Sequence, residues 1–400
     1  MVVFCIADAG PNNNNMNQPK LIRITTVPIS LKTLLKGQHR FMSEQGFEII
    51  GVSSAGQELR DVEQDEYIRV ESLEMTRTIS PWKDFRSLWK FYRLCKKEKP
   101  DIVHSHTPKA GIIGMLGAKL AGVPIRLHTV AGLPLMEANG FRRVILDFVE
   151  KLTYSCATKI YSNSKGLYDF ILTHGYTSDR KLKVLANGSS NGIDTDFFAS
   201  AQIDERQKTE LSQQLDICTG DFVFVFVGRL VGDKGINELI SAFANLELKT
   251  LNLKLLLVGS LESNLDPLRS DTLKEIKINP NIISVGFQKD VRPYFAIADA
   301  LVFPSYREGF PNVVMQAGAM GLPSIVSDIN GCNEIIVEGR NGMIIPAKNS
   351  EALCQAMLKL VYDKDYYNKL KMNARKMIID RYEQKVVWQA LLDEYNHLTE

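Results

Sequence analysis

Cysteine is sparse in this chain of 400 residues. The six (5, 95, 156, 218, 332 and 354) are scattered, with no C-x-x-C pair and no Cys/His spacing of a zinc site. That excludes a disulfide framework and a recognisable metal-ligand cluster, and fits reduced thiols in a cytoplasmic setting. Long apolar runs are also missing: nothing approaches the ~20 residues a helix needs to cross a bilayer. The run Val2–Ala7 is short and has no basic residues before it, so it does not read as a secretory signal. No repeat of solenoid period is visible. There is neither a nucleic-acid-binding motif nor a strongly basic domain, so nucleic acid is not an expected partner.

What is present is ordinary globular composition, 45% hydrophobic and 24% charged, over a length that exceeds one comfortable core. Two domains are expected. Pro11–Asn15, with four consecutive Asn, belongs to a lead-in over residues 1–20 that is expected to be disordered, folding beginning near Leu21. Net charge is +2 but uneven: residues 1–195 hold 26 Lys+Arg and 19 Asp+Glu, or +7, and residues 196–400 hold 22 and 27, or −5. The N-terminal half therefore has the greater affinity for anionic surfaces.

Strand-like apolar runs alternate with helix-length segments. Leu21–Val27, Phe47–Val52, Ile102–His106, Ile125–Val130, Lys159–Ser162 and Lys183–Leu185 read as strands, the pattern of βαβ units and a parallel sheet covered on both faces. Asn187–Asp194 (NGSSNGID) reads as an interdomain linker. The pattern then restarts with strand Phe222–Val227, helix Ile236–Asn245, and strands Leu253–Val258, Ile282–Val285, Ala300–Phe303, Ser324–Ser327 and Gly342–Pro346. The tail Ser350–Leu398 reads as helical.

Two stretches have the makings of a site. In residues 299–328 a buried strand leads through Pro304–Phe310 into a helix over Asn312–Ala319, with Pro311 at its first position and Gly321 and Pro323 as its stop. A helix N-terminus offers free N–H groups and partial positive charge to an anion such as phosphate. Gly309 allows close approach of the backbone, and Glu308 sets a carboxylate beside it. The second stretch is Val227–Gly235 (VGRLVGDKG). There Gly228 turns the chain after a strand and Arg229 and Lys234 bracket a Gly-rich loop, two cations suited to a diphosphate at a strand carboxyl end. On spacing alone, an ordinary α/β crossover fits the first stretch equally well, and a pair of solvated surface cations is the commoner fate of residues such as Arg229 and Lys234.

Arg77–Lys99 holds eight Lys+Arg against two acids, with Trp82, Phe85, Trp89, Phe91 and Tyr92 interleaved. Phe85, Leu88, Trp89, Tyr92 and Cys95 recur at helical spacing. Either a core-facing amphipathic helix with a solvated basic face or a surface that touches anionic lipid accounts for it.

PSYREGFPNVVMQAGAMGLPSIVSD resembles the nucleotide-sugar element of the retaining glycosyltransferases of family 4, and the likeness extends over nearly the whole chain from about Leu21. GSSNGID and NGCNEII fit the bacterial members that extend capsule, lipopolysaccharide or lipid-linked oligosaccharides. The resemblance implies an α/β GT-B fold, two Rossmann-like domains facing across a crevice. An N-terminal acceptor domain (21–190), a nucleotide-sugar domain (191–379) and a crossover helix (380–400) returning to the first domain are expected. It further implies transfer of a hexose or N-acetylhexosamine, with retention, from a UDP-sugar to a polyprenyl-diphosphate-linked saccharide at the cytoplasmic face of the membrane. In the family, the counterpart of Glu308 reaches the donor sugar, those of Arg229 and Lys234 hold the diphosphate, and a second Glu holds the ribose. Gln316 stands in place of that second Glu, which implies weaker or retuned nucleotide binding. Gly228, Gly309, Phe310, Pro311, Asn312 and Gly132 are the accompanying donor-side positions, and Gly286-Phe287 is the place to look for contacts to the base.

No metal is expected. Asp194-Thr195-Asp196 has the spacing of a metal site but lies in the linker, where the family has a similar Gly-Ile-Asp turn, and reads as structural. The family often carries a His in a Thr-x-His-Gly turn, where this chain has Ala131. His128, three residues earlier, falls on the opposite strand face and reads as a buried, hydrogen-bonded His. His104 and His106 are expected at a strand end on the crevice edge, with His106 either orienting acceptor or donor or simply a polar strand-end residue. Two other readings remain open, a sugar-nucleotide epimerase of similar shape and a degenerate homologue that binds without catalysis.

Overall fold

The computed structural model describes residues 18–76, 80–133, 135, 138–247, 252–262 and 266–400, so most of the expected lead-in, residues 1–17, lies outside the described residues. The chain forms two lobes. The first runs β1 (Lys20–Ile24), α1 (Pro28–Leu34), α2 (Gln38–Glu44), β2 (Glu48–Ser53), α3 (Gln57–Glu66), β3 (Arg69–Ser72), α4 (Pro81–Glu98), β4 (Ile102–Ser105), α5 (Pro108–Ala121), β5 (Ile125–Val130), α6 (Gly140–Cys156), β6 (Lys159–Ser162), α7 (Lys165–Thr173) and β7 (Leu182–Val184). The second continues with α8 (Glu205–Gln214), β8 (Phe222–Val227), α9 (Ile236–Glu247), β9 (Leu253–Val258), α10 (Ser270–Ile278), β10 (Ile282–Gly286), α11 (Arg292–Ala296), β11 (Ala300–Phe303), α12 (Asn312–Ala319), β12 (Ser324–Ser327), α13 (Cys332–Ile335), β13 (Gly342–Ile345) and α14 (Ser350–Tyr362). Two long helices close the chain, α15 (Lys364–Tyr382) and α16 (Gln384–Thr399).

Both sheets are parallel throughout. Their orders are β3-β2-β1-β4-β5-β6-β7 and β10-β9-β8-β11-β12-β13, the doubly wound arrangement in which strand order reverses beside β1 and beside β8. Central strands such as FVFVFV and ALVF are apolar on both faces because helices cover both. The expected strands fall within one to three residues of the observed ends. β3 was not expected. It is a four-residue edge strand, RVES, whose pairing with β2 rather than its own polarity makes it a strand.

The helical tail is broken at Glu383, which is extended (φ −52°, ψ 130°), so the crossover helix begins at Gln384 rather than at Asp380. The break has a cause. Ile193 of the linker pairs there, its N–H donating to Tyr382 O at 2.8 Å and its carbonyl accepting from Gln384 N at 3.0 Å. The two interlobe crossings thus run side by side. α16 then contributes Leu391, Leu392 and Tyr395 to the first lobe's core, beside Leu21 and Leu127. Burying each such apolar side chain is worth about 1.5–3 kcal/mol.

Candidate functional site

The carboxyl ends of β8, β9 and β10 turn on three glycines, Gly228, Gly259 and Gly286, all at positive φ. Gly228 N–H bonds to Val258 O and Gly259 N–H to Gly286 O, each at 2.9 Å. A side chain on Gly259 would collide with the Gly228 carbonyl. The result is a backbone floor along three strand ends at the switch point, where ligands of such sheets sit. Phe287, just beyond Gly286, stands exposed.

Cations and carboxylates meet above this floor. Lys234, at the end of the turn Gly232–Lys234, forms an ion pair with Glu308, and both side chains are largely buried. Ser305 Oγ lies 3.0 Å from the same carboxylate oxygen. Arg229 is more open and holds Glu262 at 3.2 Å, while Arg307 holds Asp233 at 3.0 Å. α12 begins at Asn312, with Pro311 as its cap rather than its first residue and no capping side chain. Val314 N–H bonds back to Pro311 O, which leaves the Asn312 and Val313 N–H groups to face the loop. Asn312 and Gln316 share one side of this helix, one turn apart.

The first lobe closes against this loop. A Cβ on Gly309 would strike the carbonyl oxygen of Ala131, with Gly132 Cα close behind at 3.8 Å. Asn163 Nδ2 donates to that same carbonyl at 3.2 Å. Asn330 bridges the lobes, donating to Gly309 O at 2.6 Å and lying 2.9 Å from Ser164 Oγ. Glu334 accepts the Lys165 and Gly166 N–H groups at the start of α7, at 2.7 and 3.1 Å. Phe310 packs edge-on against Tyr382, ring centroids 5.4 Å apart. The structure thus joins Glu308 to Lys234 and sets Gly309 against Ala131 and Gly132 where the lobes meet, with Gly228, Arg229 and Gly286 at the neighbouring strand ends and Phe310, Pro311, Asn312 and Gln316 on the adjoining loop and α12.

His106 is a correction. It and His104 are buried rather than set on the crevice edge. His104 lies 2.6 Å from Tyr395 Oη and 2.7 Å from Thr129 Oγ1. Burial, with Arg23 nearby, holds both imidazoles well below their usual range, so they are neutral. Both ring nitrogens of His106 lack a protein partner, as do Asn163 Oδ1, Ser162 Oγ and Ser190 Oγ, residues that all line one small cavity. His128 is buried as expected, 2.8 Å from Ser105 Oγ, with burial lowering its pKa to about 4. Asp194 accepts from Phe197 N–H at 2.8 Å and Thr195 N–H donates to Glu383 at 3.2 Å, a structural turn. Among the described residues no group of three or more His, Cys, Asp or Glu side chains is placed to hold a metal ion. Sequence reasoning missed Ser305, Glu262, Asn163, Asn330 and Glu334. NGCNEII, which begins at Asn330 and contains Glu334, was the available signal.

A family model described as Glycosyl transferases group 1 matches residues 207–377, and a Glycosyl transferase 4-like domain matches residues 40–188. The Staphylococcus aureus capsular polysaccharide biosynthesis glycosyltransferase CapM is 35% identical over 381 residues, 95% of this chain and 98% of CapM. The chain belongs to the glycosyl transferases group 1 family. This group 1 glycosyltransferase is also 28% identical, over 90% of its length and 93% of the other's, to an Escherichia coli UDP-Gal:alpha-D-GlcNAc-diphosphoundecaprenol alpha-1,3-galactosyltransferase. Its GT-B fold is shared with the crystal structure of Anabaena HepE in complex with UDP, at a TM-score of 0.78 and 18% identity over 95% of this chain and all of that one.

Proposed function

We propose that this glycosyltransferase moves a hexose or N-acetylhexosamine from a UDP-sugar, with retention, to a polyprenyl-diphosphate-linked saccharide in capsule or lipopolysaccharide assembly at the cytoplasmic face of the membrane. The observation that carries it is the convergence of Arg229, Lys234, Glu308 and the start of α12 over the glycine floor. UDP in HepE and the diphosphoundecaprenol acceptor in the E. coli relative's name support the choice of donor and acceptor.

As the sugar–phosphate bond breaks, negative charge grows on the diphosphate and positive charge on the anomeric carbon. Lys234, Arg229 and the Asn312 and Val313 N–H groups stabilise the first. Bound diphosphate competes for Lys234, which releases Glu308 to the donor sugar. The positive charge comes from the protein itself, so the transfer needs no metal. The turn at Ala131 carries no base, and in a same-face transfer a donor phosphate oxygen takes the acceptor hydroxyl's proton. Proton NMR of the first-formed product tests this: an α-donor should give an α-linkage, in a reaction that survives EDTA. A β-linked product, or loss of activity with EDTA, would contradict it.

A further inference from the structure

The core-facing side of α4 is Ser87, Phe91 and Cys95, not the Phe85–Trp89 side. Trp82, Phe85 and Trp89 instead point outward, and so do Phe141, Val144 and Phe148 of α6. These six side chains are between 55% and 87% exposed. Each set is spaced i, i+3, i+7 and therefore forms one stripe along its helix. Both helices pack against α5 between them. α4 crosses back from β3 to β4, and α5 and α6 follow successive strands outward, so right-handed connections put all three on one side of the sheet. Large apolar side chains on a monomer's surface are normally scattered singly; two parallel stripes are not.

The exposed charges on α4 are of one sign. α4 exposes Lys83, Arg86, Lys90, Arg93, Lys96 and Lys97. Its two acids are already paired, Asp84 with Lys109 at 2.6 Å and Glu98 with Arg69 at 2.7 Å. On α6, Asp147 is held by Arg143 at 2.9 Å and Glu150 is buried. Aromatic side chains flanked by cations suit the boundary between headgroups and acyl chains. A second copy of the same face would be repelled.

We propose that the α4–α6 face docks on an anionic lipid bilayer, the two stripes entering the headgroup layer and the α4 cations lying against lipid phosphates. The first turns of both helices follow strand carboxyl ends, so the stripes begin at the crevice edge. A lipid-linked acceptor can then present its saccharide to the crevice while its chain stays in the bilayer. This last step rests on the acceptor proposed above; the docking itself does not.

The test uses the full chain with vesicles of phosphatidylcholine alone or mixed with phosphatidylglycerol, read by co-sedimentation and tryptophan emission, with UDP binding measured by calorimetry in parallel. Binding to the mixed vesicles alone, with a blue shift, is expected. The K83Q/R86Q/K90Q/R93Q variant should partition at least about 100-fold more weakly, at roughly fivefold per cation. F141S/F148S should lose the bound state while keeping its Tm and UDP affinity, because both side chains are exposed. Absence of vesicle binding, equal binding to neutral vesicles, or capture of an acidic protein without vesicle binding would overturn the docking while UDP binding stands. Full binding by both variants would overturn the assigned face. Vesicle binding without transfer from any donor supports the docking and removes the acceptor reading.

Discussion

Glu308 and Lys234 neutralise each other in a largely buried pair, Ser305 beside them. Arg229, half open against Glu262, is the cation a diphosphate can take over most easily. Arg229→Ala or Lys234→Ala should lower kcat by roughly 10²–10³-fold, the loss expected when one preorganised donor to a developing charge is removed; steady-state rates of nucleoside diphosphate release measure it. Gln316→Glu should act in the opposite direction. A charged acceptor adds about 1 kcal/mol over a neutral one, or about fivefold tighter UDP binding by calorimetry. Glu308, Arg229 and Lys234 were legible as candidates through the resemblance of their two stretches to the family's elements, since an ordinary crossover and solvated cations account for the spacing alone. Asn330 and Glu334 were not, because they act on backbone groups of segments more than 20 and 160 residues away.

The seat of α16 is a polar network within an apolar interface. Arg23 is fully buried, donating to Gln38 Oε1 at 2.6 Å and Tyr395 Oη at 3.1 Å, and Tyr395 also meets His104. Tyr395→Phe leaves two buried groups short of a partner and should cost about 1–3 kcal/mol, a melting shift on the order of 5 °C. His39, His104, His106 and His128 are all buried with lowered pKa. Below about pH 6.5 the unfolded chain binds protons that the folded chain does not, so stability falls with falling pH, to about pH 4 for His128. The slope for four such groups is roughly 5 kcal/mol per pH unit. Glu150, raised to about 7 by burial, opposes this with one group of opposite sign. The melting temperature should therefore change little between about pH 7 and 8 and drop steeply through pH 6 to 5. Central strands were legible because burial on both faces leaves continuous apolar runs. β3 and the break at Glu383 were not, because pairing with distant segments makes them.

The whole molecule is two lobes joined at a paired crossing, Ile193 against Tyr382–Gln384, and touching again where Gly309 meets Ala131. The first is placed to act as a hinge and the second as a contact made on closure. Gly309→Ala should hold the lobes apart and reduce kcat about 100-fold, since a displacement near 1 Å costs that much, as steady-state rates of nucleoside diphosphate release would show. The proposed activity is acceptor-dependent transfer from a nucleotide sugar, served by Glu308, Arg229 and Lys234. The most direct measurement is release of nucleoside diphosphate from UDP-, GDP- and ADP-sugars, with and without a lipid extract containing polyprenyl-diphosphate saccharides, for the native chain, Glu308→Ala and Arg229→Ala. Release from a UDP-sugar is expected only when the extract is present, and is expected to be lost in both variants. Isomerisation of the donor without release, or tight nucleotide binding with no turnover under any condition, would contradict it.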